Sequence, residues 1–160
     1  MYEIDGRDEV EKLSDLPQSS IGAPTPFIIS DEHRVVLAYY LEMPEPDAVS
    51  EPVAMVRFAI CYAHMSGPPN DEAFSGHPLA PRGVRPYGAF EVRHSSWIRR
   101  LERMNSVHPH HKPDRFWSRR HFIFAFHDTT FECVADGFDL TIGHGSIESV
   151  IPEMLKQLHR

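Results

Sequence analysis

Apolar and polar positions alternate most cleanly between His121 and Asp136. In HFIFAFH, Phe122, Phe124 and Phe126 recur every second residue, and in FECVA so do Phe131, Cys133 and Ala135. Period two is the strand signature, and an even-length turn within His127–Thr130 brings all six onto one apolar face. The pattern predicts an antiparallel hairpin. Asp136-Gly137 is a turn signal, so Phe138–Ile142 is expected to extend the hairpin into a meander.

Upstream, Pro26–Ser30 and His33–Leu41 read as a second hairpin around Asp31-Glu32, although Asp-Glu is not a favoured two-residue turn. Met43–Pro52 carries three prolines and reads as a loop. VAMVRFAICYAH, residues 53–64, is apolar on both faces except for Arg57 and is expected to be one central strand. The proline-rich stretch Met65–Pro86 reads as a long loop or lid. Tyr87–His94 alternates again, with Phe90 and Val92 directed inward.

Two segments carry the helical period. Capped by Ser95 or Ser96, a helix over 95–108 places Trp97, Leu101, Met104 and His108 on one buried stripe, with Arg99, Arg100 and Arg103 facing away. Ser149 is expected to cap a second, over 149–159, burying Val150, Ile151, Met154, Leu155 and Leu158. A short helix at Asp8–Leu16, stopped by Pro17, is expected in the polar arm 1–25. The fold class is therefore α+β: a mainly antiparallel sheet of about six strands with two helices packed on it, in one domain over 1–160.

Charge divides the chain in a way the strands do not. Residues 82–120 hold ten Lys/Arg against Glu91, Glu102 and Asp114, a local charge of +7 in a chain of net −7, with both tryptophans and four of eleven histidines inside it. Arginine grips carboxylate or phosphate through a planar fork, and an aromatic ring stacks beside it. The basic His/Arg/Trp segment 82–121 thus points to a small binding or interaction module for an acidic protein surface or a small anionic ligand. Arg82, Arg85, Arg115, Trp117, Arg119 and Arg120 are its candidate contacts, and His77 is expected to join them. The competing expectation is intramolecular: the acidic arm (Glu3, Asp5, Asp8, Glu9, Glu11, Asp15) covers the basic centre as a salt-bridged face. Net acidity argues against nucleic acid, which needs a broad basic face.

An enzyme is the alternative. His127-Asp128 resembles a base with its orienter, Glu132 is a second candidate partner, and together they suggest a hydrolase. A metal-dependent version would use His108, His110 and His111. That cluster lies on a proline-broken connector beside Lys112 and Arg115, whose charges oppose a cation, so neither a metal nor another cofactor is expected. Gly143-His144-Gly145-Ser146 lacks a phosphate-loop pattern and reads as a turn. Cys61 and Cys133 lie in apolar runs and are expected to be reduced and inert. With no apolar run long enough to span a bilayer and no secretory pattern in the acidic N-terminus, the expected setting is cytoplasmic, with a homo-oligomer left open.

Overall fold

The computed structural model describes residues 2–43 and 50–160; most of the proline-rich loop expected over 43–52 lies outside them. The fold is α+β. Nine strands form two antiparallel sheets, one ordered β1-β6-β7-β8-β5 and the other β2-β3-β4-β9. The strands are β1 (Glu9–Lys12), β2 (Phe27–Ser30), β3 (Val35–Tyr40), β4 (Pro52–Phe58), β5 (Cys61–Gly67), β6 (Gly88–Arg93), β7 (Arg120–Ala125), β8 (Thr130–Ala135) and β9 (Asp139–His144). Three helices accompany them: α1 (Ser96–Asn105), the single turn α2 (Asp114–Trp117) and α3 (Ile147–Leu158).

The two sheets bury one face of each against the other. Val35, Leu37, Tyr39, Ala54, Val56 and Phe58 from the four-stranded sheet meet Phe122, Phe124, Phe126, Phe131, Cys133 and Ala135 from the five-stranded one. The period-two hairpin therefore lies where its pattern requires, with Phe122 opposite Cys133 and Phe124 opposite Phe131. On the outer side of the four-stranded sheet, α3 packs Ile147, Val150, Met154 and Leu158 over Val36, Ala38, Val53 and Met55. This two-sided cover is why β3 and β4 read as continuously apolar.

Several local expectations are corrected. Residues 53–64 are two strands in different sheets, separated by the exposed Ala59 and Ile60. An apolar run covered on both faces carries no period, so the crossing leaves no mark in it. The strand expected at Phe138–Ile142 is β9, which starts at Asp139 and pairs with β4 rather than β8, so Asp136-Gly137 changes sheets instead of closing a meander. The helix expected at Asp8–Leu16 is instead the edge strand β1, paired to β6 with Val10 opposite Val92. Sheet pairing there overrides local helix propensity, and its charges suit an edge. Ser146, not Ser149, caps α3: its hydroxyl accepts the Ser149 N–H at 3.2 Å.

The outer face of the five-stranded sheet is roofed by irregular chain. Tyr2 and Ile4 from the arm, and Phe74, Leu79 and Val84 from residues 68–86, pack over Phe90, Val92, Ile123 and Ala125. The long loop is thus held down by its own apolar side chains, with two single-turn 3-10 helices at Phe74–Gly76 and Ala80–Arg82. The phase of α1 also differs from the sequence pattern. Ile98 and Arg99 are buried and Met104 is exposed, because the helix is fixed at its N-terminus, where Asp8 accepts the Ser96 N–H at 2.6 Å and the Ser95 hydroxyl accepts that of Ile98. Arg99 turns inward to the Asp5 carboxylate at 2.7 Å.

Candidate functional site

The strands β6 and β7 are antiparallel neighbours joined through α1 and α2, so the basic residues 94–119 gather at one end of that pair. There an open cleft of about 500 Å³ forms, lined by Trp117, Arg119 and Arg120 together with Arg7, Arg93 and Arg99. Trp117 is 52% exposed. The Arg119 guanidinium lies between two rings, 3.6 Å from the Tyr62 centroid and 3.9 Å from that of Phe116. Stacking of this kind favours a cation and fixes its plane.

Much of the cleft's charge is matched by the chain itself. Arg120 forks onto Glu91, Arg93 meets Glu11 at 2.8 Å, and Asp5 serves both Arg7 and Arg99. Hydrogen bonds from Arg7 hold the Asp5 carboxyl well below the ordinary carboxylate range, with Arg99 adding to the effect. The acidic arm does meet the basic centre, but as a paired strand with a buried Tyr2 rather than as a loose cover.

Arg82 and Arg85 lie before β6, in the chain that roofs the outer face of the sheet, and neither lines the cleft. Arg82 reaches the edge of the cleft only through Asp5, whose carboxylate pairs with Arg7 and Arg99. Arg85 is spent on the Ala80 and Val84 carbonyls, and Arg82 donates to the Asp5 carbonyl. Arg115 is exposed on α2, on the side away from the cleft. His108, His110 and His111 sit in the turn between α1 and α2. His108 Nδ1 accepts the His110 N–H at 3.1 Å, and His111 Nε2 donates to Glu102 at 2.7 Å. Among the described residues no group of three or more His, Cys, Asp or Glu side chains converges as a metal would require.

The hydrolase candidates separate. His127 takes its partner from the long loop: Nδ1 lies 3.0 Å from Asp71 and 2.8 Å from the Tyr87 hydroxyl, which itself donates to Asp71. The Asp128 carboxylate is 3.9 Å from Nε2. The Tyr87 hydrogen bond lowers the Asp71 carboxyl, and that same bond pushes the Tyr87 hydroxyl up to about 12. Tyr87 adopts the left-handed region at φ 59°, a strain tolerated where surrounding contacts over-determine it. Nδ1–H held on a carboxylate directs the basic Nε2 outward, the tautomer a general base needs. No serine, threonine or cysteine side chain hydrogen-bonds His127 among the described residues, so no nucleophile is paired with it.

Glu132 is elsewhere, buried to 2% exposure under the arm and the long loop. Its carboxylate accepts three hydrogen bonds: His77 Nε2 at 3.1 Å, His121 Nε2 at 2.8 Å and the Tyr2 hydroxyl at 2.7 Å. The remaining ring nitrogens are also used. His77 Nδ1 accepts the Leu79 N–H, and His121 Nδ1 meets the Ser95 hydroxyl at 2.9 Å. The Leu79 N–H makes His77 Nδ1 an acceptor, and both rings turn Nε2–H onto one buried anion. Burial alone raises a carboxyl, but here the hydrogen bonds from His121 and His77 prevail and hold Glu132 at about 2. Burial, then the Glu132 charge, pushes the Tyr2 phenol far above its ordinary value. The sequence carried one sign of this cluster, a lone acid in an otherwise apolar strand. The partners from residues 2 and 77 carried none.

Cys61 and Cys133 are both free and buried. Burial pushes the Cys133 thiol well up, and its hydrogen bond to Cys61 lowers the latter. Thiolate and access together set reactivity. A thiol reagent should therefore label native protein far more slowly than unfolded chain, with Cys133 the slower of the two. Rapid labelling of Cys133 in native protein would contradict that order.

Comparison with protein-family models, with curated proteins and with solved structures finds no match to this chain.

Proposed function

We propose that this protein is a small interaction module that receives an acidic protein segment in the cleft where α1 and α2 meet the end of β6 and β7. The observation that carries the reading is Arg119, stacked between Tyr62 and Phe116 beside the half-exposed Trp117. Ordering a long side chain ordinarily opposes binding, and a guanidinium already clamped between rings has lost that freedom in advance. The surrounding pairs leave room for exchange. Arg93 and Glu11 are 59% and 50% exposed, and exposed pairs are worth about 0–1 kcal/mol, so a partner's carboxylate replaces Glu11 at little cost. Trp117 supplies the flat apolar surface that interfaces enrich.

The test is fluorescence anisotropy with a labelled peptide rich in Asp and Glu, titrated with the full chain. Binding should weaken as ionic strength rises, because exposed charges are screened over about 10 Å at 0.1 M salt. Arg119→Gln and Trp117→Ala should each weaken it by about tenfold, near 1.4 kcal/mol. Unchanged affinity in both variants, or no binding at low salt, would refute the reading.

A further inference from the structure

A second concavity lies on the other side of Arg119. The chain between α1 and α2 doubles back into an elbow enclosing about 270 Å³, with His108, His110, His111, Lys112, Arg115 and Arg119 in its wall and no carboxylate among its lining residues. Its electrostatics differ from those of the cleft. There, Glu91, Glu11 and Asp5 already answer the arginines. At the elbow, Lys112 and Arg115 have no ion-pair partner among the described residues. The nearby acids are Glu102, engaged by His111, and the exposed Asp114 on α2, outside the lining.

Two nitrogens on wall residues are shielded from solvent and unpartnered, His111 Nδ1 and Arg119 Nε; with the His111 proton on Nε2 toward Glu102, Nδ1 is an acceptor, and Arg119 Nε–H is the unmet donor. Buried polar atoms in native structures are nearly always hydrogen-bonded, so an unmet guanidinium donor on a residue of this wall calls for an explanation. Both belong to residues fixed by other contacts: His111 by Glu102 at 2.7 Å, and Arg119 by its two rings. Such side chains are held ready rather than swinging free.

We propose that the elbow is a binding site for a tetrahedral dianion, a phosphoryl group. A carboxylate brings one charge and two oxygens, which leaves most of Lys112, Arg115 and Arg119 unanswered. A phosphoryl group brings a charge of about −1.5 to −2 and three strong acceptor oxygens, which matches one ammonium and two guanidinium forks more closely. The exposed His110 ring and the Nε2 of His108 add donors at the rim. The site does not rest on the cleft reading, since of its cationic residues only Arg119 is shared.

Inorganic phosphate titrated into the full chain, followed by the imidazole resonances of His108, His110 and His111, tests this. Saturable shifts are expected in the native protein. The double variant Lys112→Ala/Arg115→Ala, which removes two exposed side chains, should lower the affinity by at least about tenfold. Trp117→Ala, which damages the cleft, should leave it unchanged. A response that never saturates, one equalled by chloride at matched ionic strength, or one preserved in the double variant would overturn the proposal. A phosphoserine peptide and its unphosphorylated form give the source. Tighter binding of the phosphopeptide than of phosphate assigns a chain-borne group, and equal binding assigns a small molecule.

Discussion

Glu132→Ala is expected to remove about 3–5 kcal/mol of folding free energy, the range for breaking a buried charged network by deleting one partner. The loss exceeds one hydrogen bond because three donors depend on this carboxylate: His77, His121 and Tyr2. Each would remain buried without an acceptor, and an orphaned buried donor costs about 1–3 kcal/mol. Glu132→Gln should cost less, since its oxygen still serves one side, but its amide sets a donor against a donor on the other. Urea unfolding measures both. A change under about 1 kcal/mol in Glu132→Ala would show that the network contributes little. Acid gives a second reading. The folded-state value of about 2 lies below the ordinary 4.5, so the unfolded chain takes the proton more readily. The carboxylate's contribution is therefore complete above about 4.5 and disappears as pH falls toward 2. Glu132→Gln should flatten the stability profile across that window while leaving neutral pH dependence alone.

The same network explains how irregular chain is ordered over a sheet face. Tyr2 comes from the arm, His77 from the long loop, and Ser95, which caps α1, reaches His121. One buried anion thus fixes the positions of three segments that lack sheet hydrogen bonds at those points. Two of them lead into the basic end of the sheet: α1 directly, and the arm through Asp5, Asp8 and Glu11. Disturbing Glu132 should therefore loosen the cleft wall as well as lower stability.

What was legible in the sequence followed from strict periodicity. The strand pair 120–135 shows every second residue because one buried face is mostly aromatic while the other, also buried, mixes polar and apolar side chains: His121, Ile123, Glu132 and Val134. Where both covered faces are apolar, as in β4, the period vanishes and the division of residues 53–64 between two sheets becomes invisible. The α1 stripe misled for a different reason. Its phase is set by Asp5 and Asp8, nearly a hundred residues earlier, and a charge pair with the arm outweighed the apolar preference of Met104. The arm's place in the sheet was hidden because a four-residue charged edge strand has too few apolar positions to show any period. Of the candidates in the basic segment, Trp117, Arg119 and Arg120 line the cleft, and Arg82, Arg85 and Arg115, near them in sequence, do not. Arg85 is instead held on the Ala80 and Val84 carbonyls, and Arg82 on the Asp5 carbonyl at the edge of the cleft. His127 was read with Asp128 or Glu132 as its partner, whereas the residue that holds its ring, Asp71, lies fifty-six positions away, beyond the reach of local reading.

Phe124→Ala should cost about 3–5 kcal/mol, a large share of the roughly 5–15 kcal/mol that holds a domain folded. Its ring is 2% exposed at the centre of the sandwich and meets Tyr39, Phe58 and Phe131 at centroid distances of 6.3, 6.0 and 6.2 Å. Phe58 and Phe131 stand edge-on or nearly so, the arrangement that adds about 0.5–1.5 kcal/mol per pair beyond area burial. The cavity left by alanine is bounded by strands from both sheets, each pinned by its own ladder, so the walls cannot close in and the unrelieved void adds to the transfer cost. Phe27 is the internal control. It carries the same side chain, but on the edge strand β2 and substantially exposed, so Phe27→Ala should change stability by no more than about 0.5 kcal/mol. Equal shifts in unfolding midpoint for the two variants would mean that the interface between the sheets is not the core, and the sandwich would have to be abandoned.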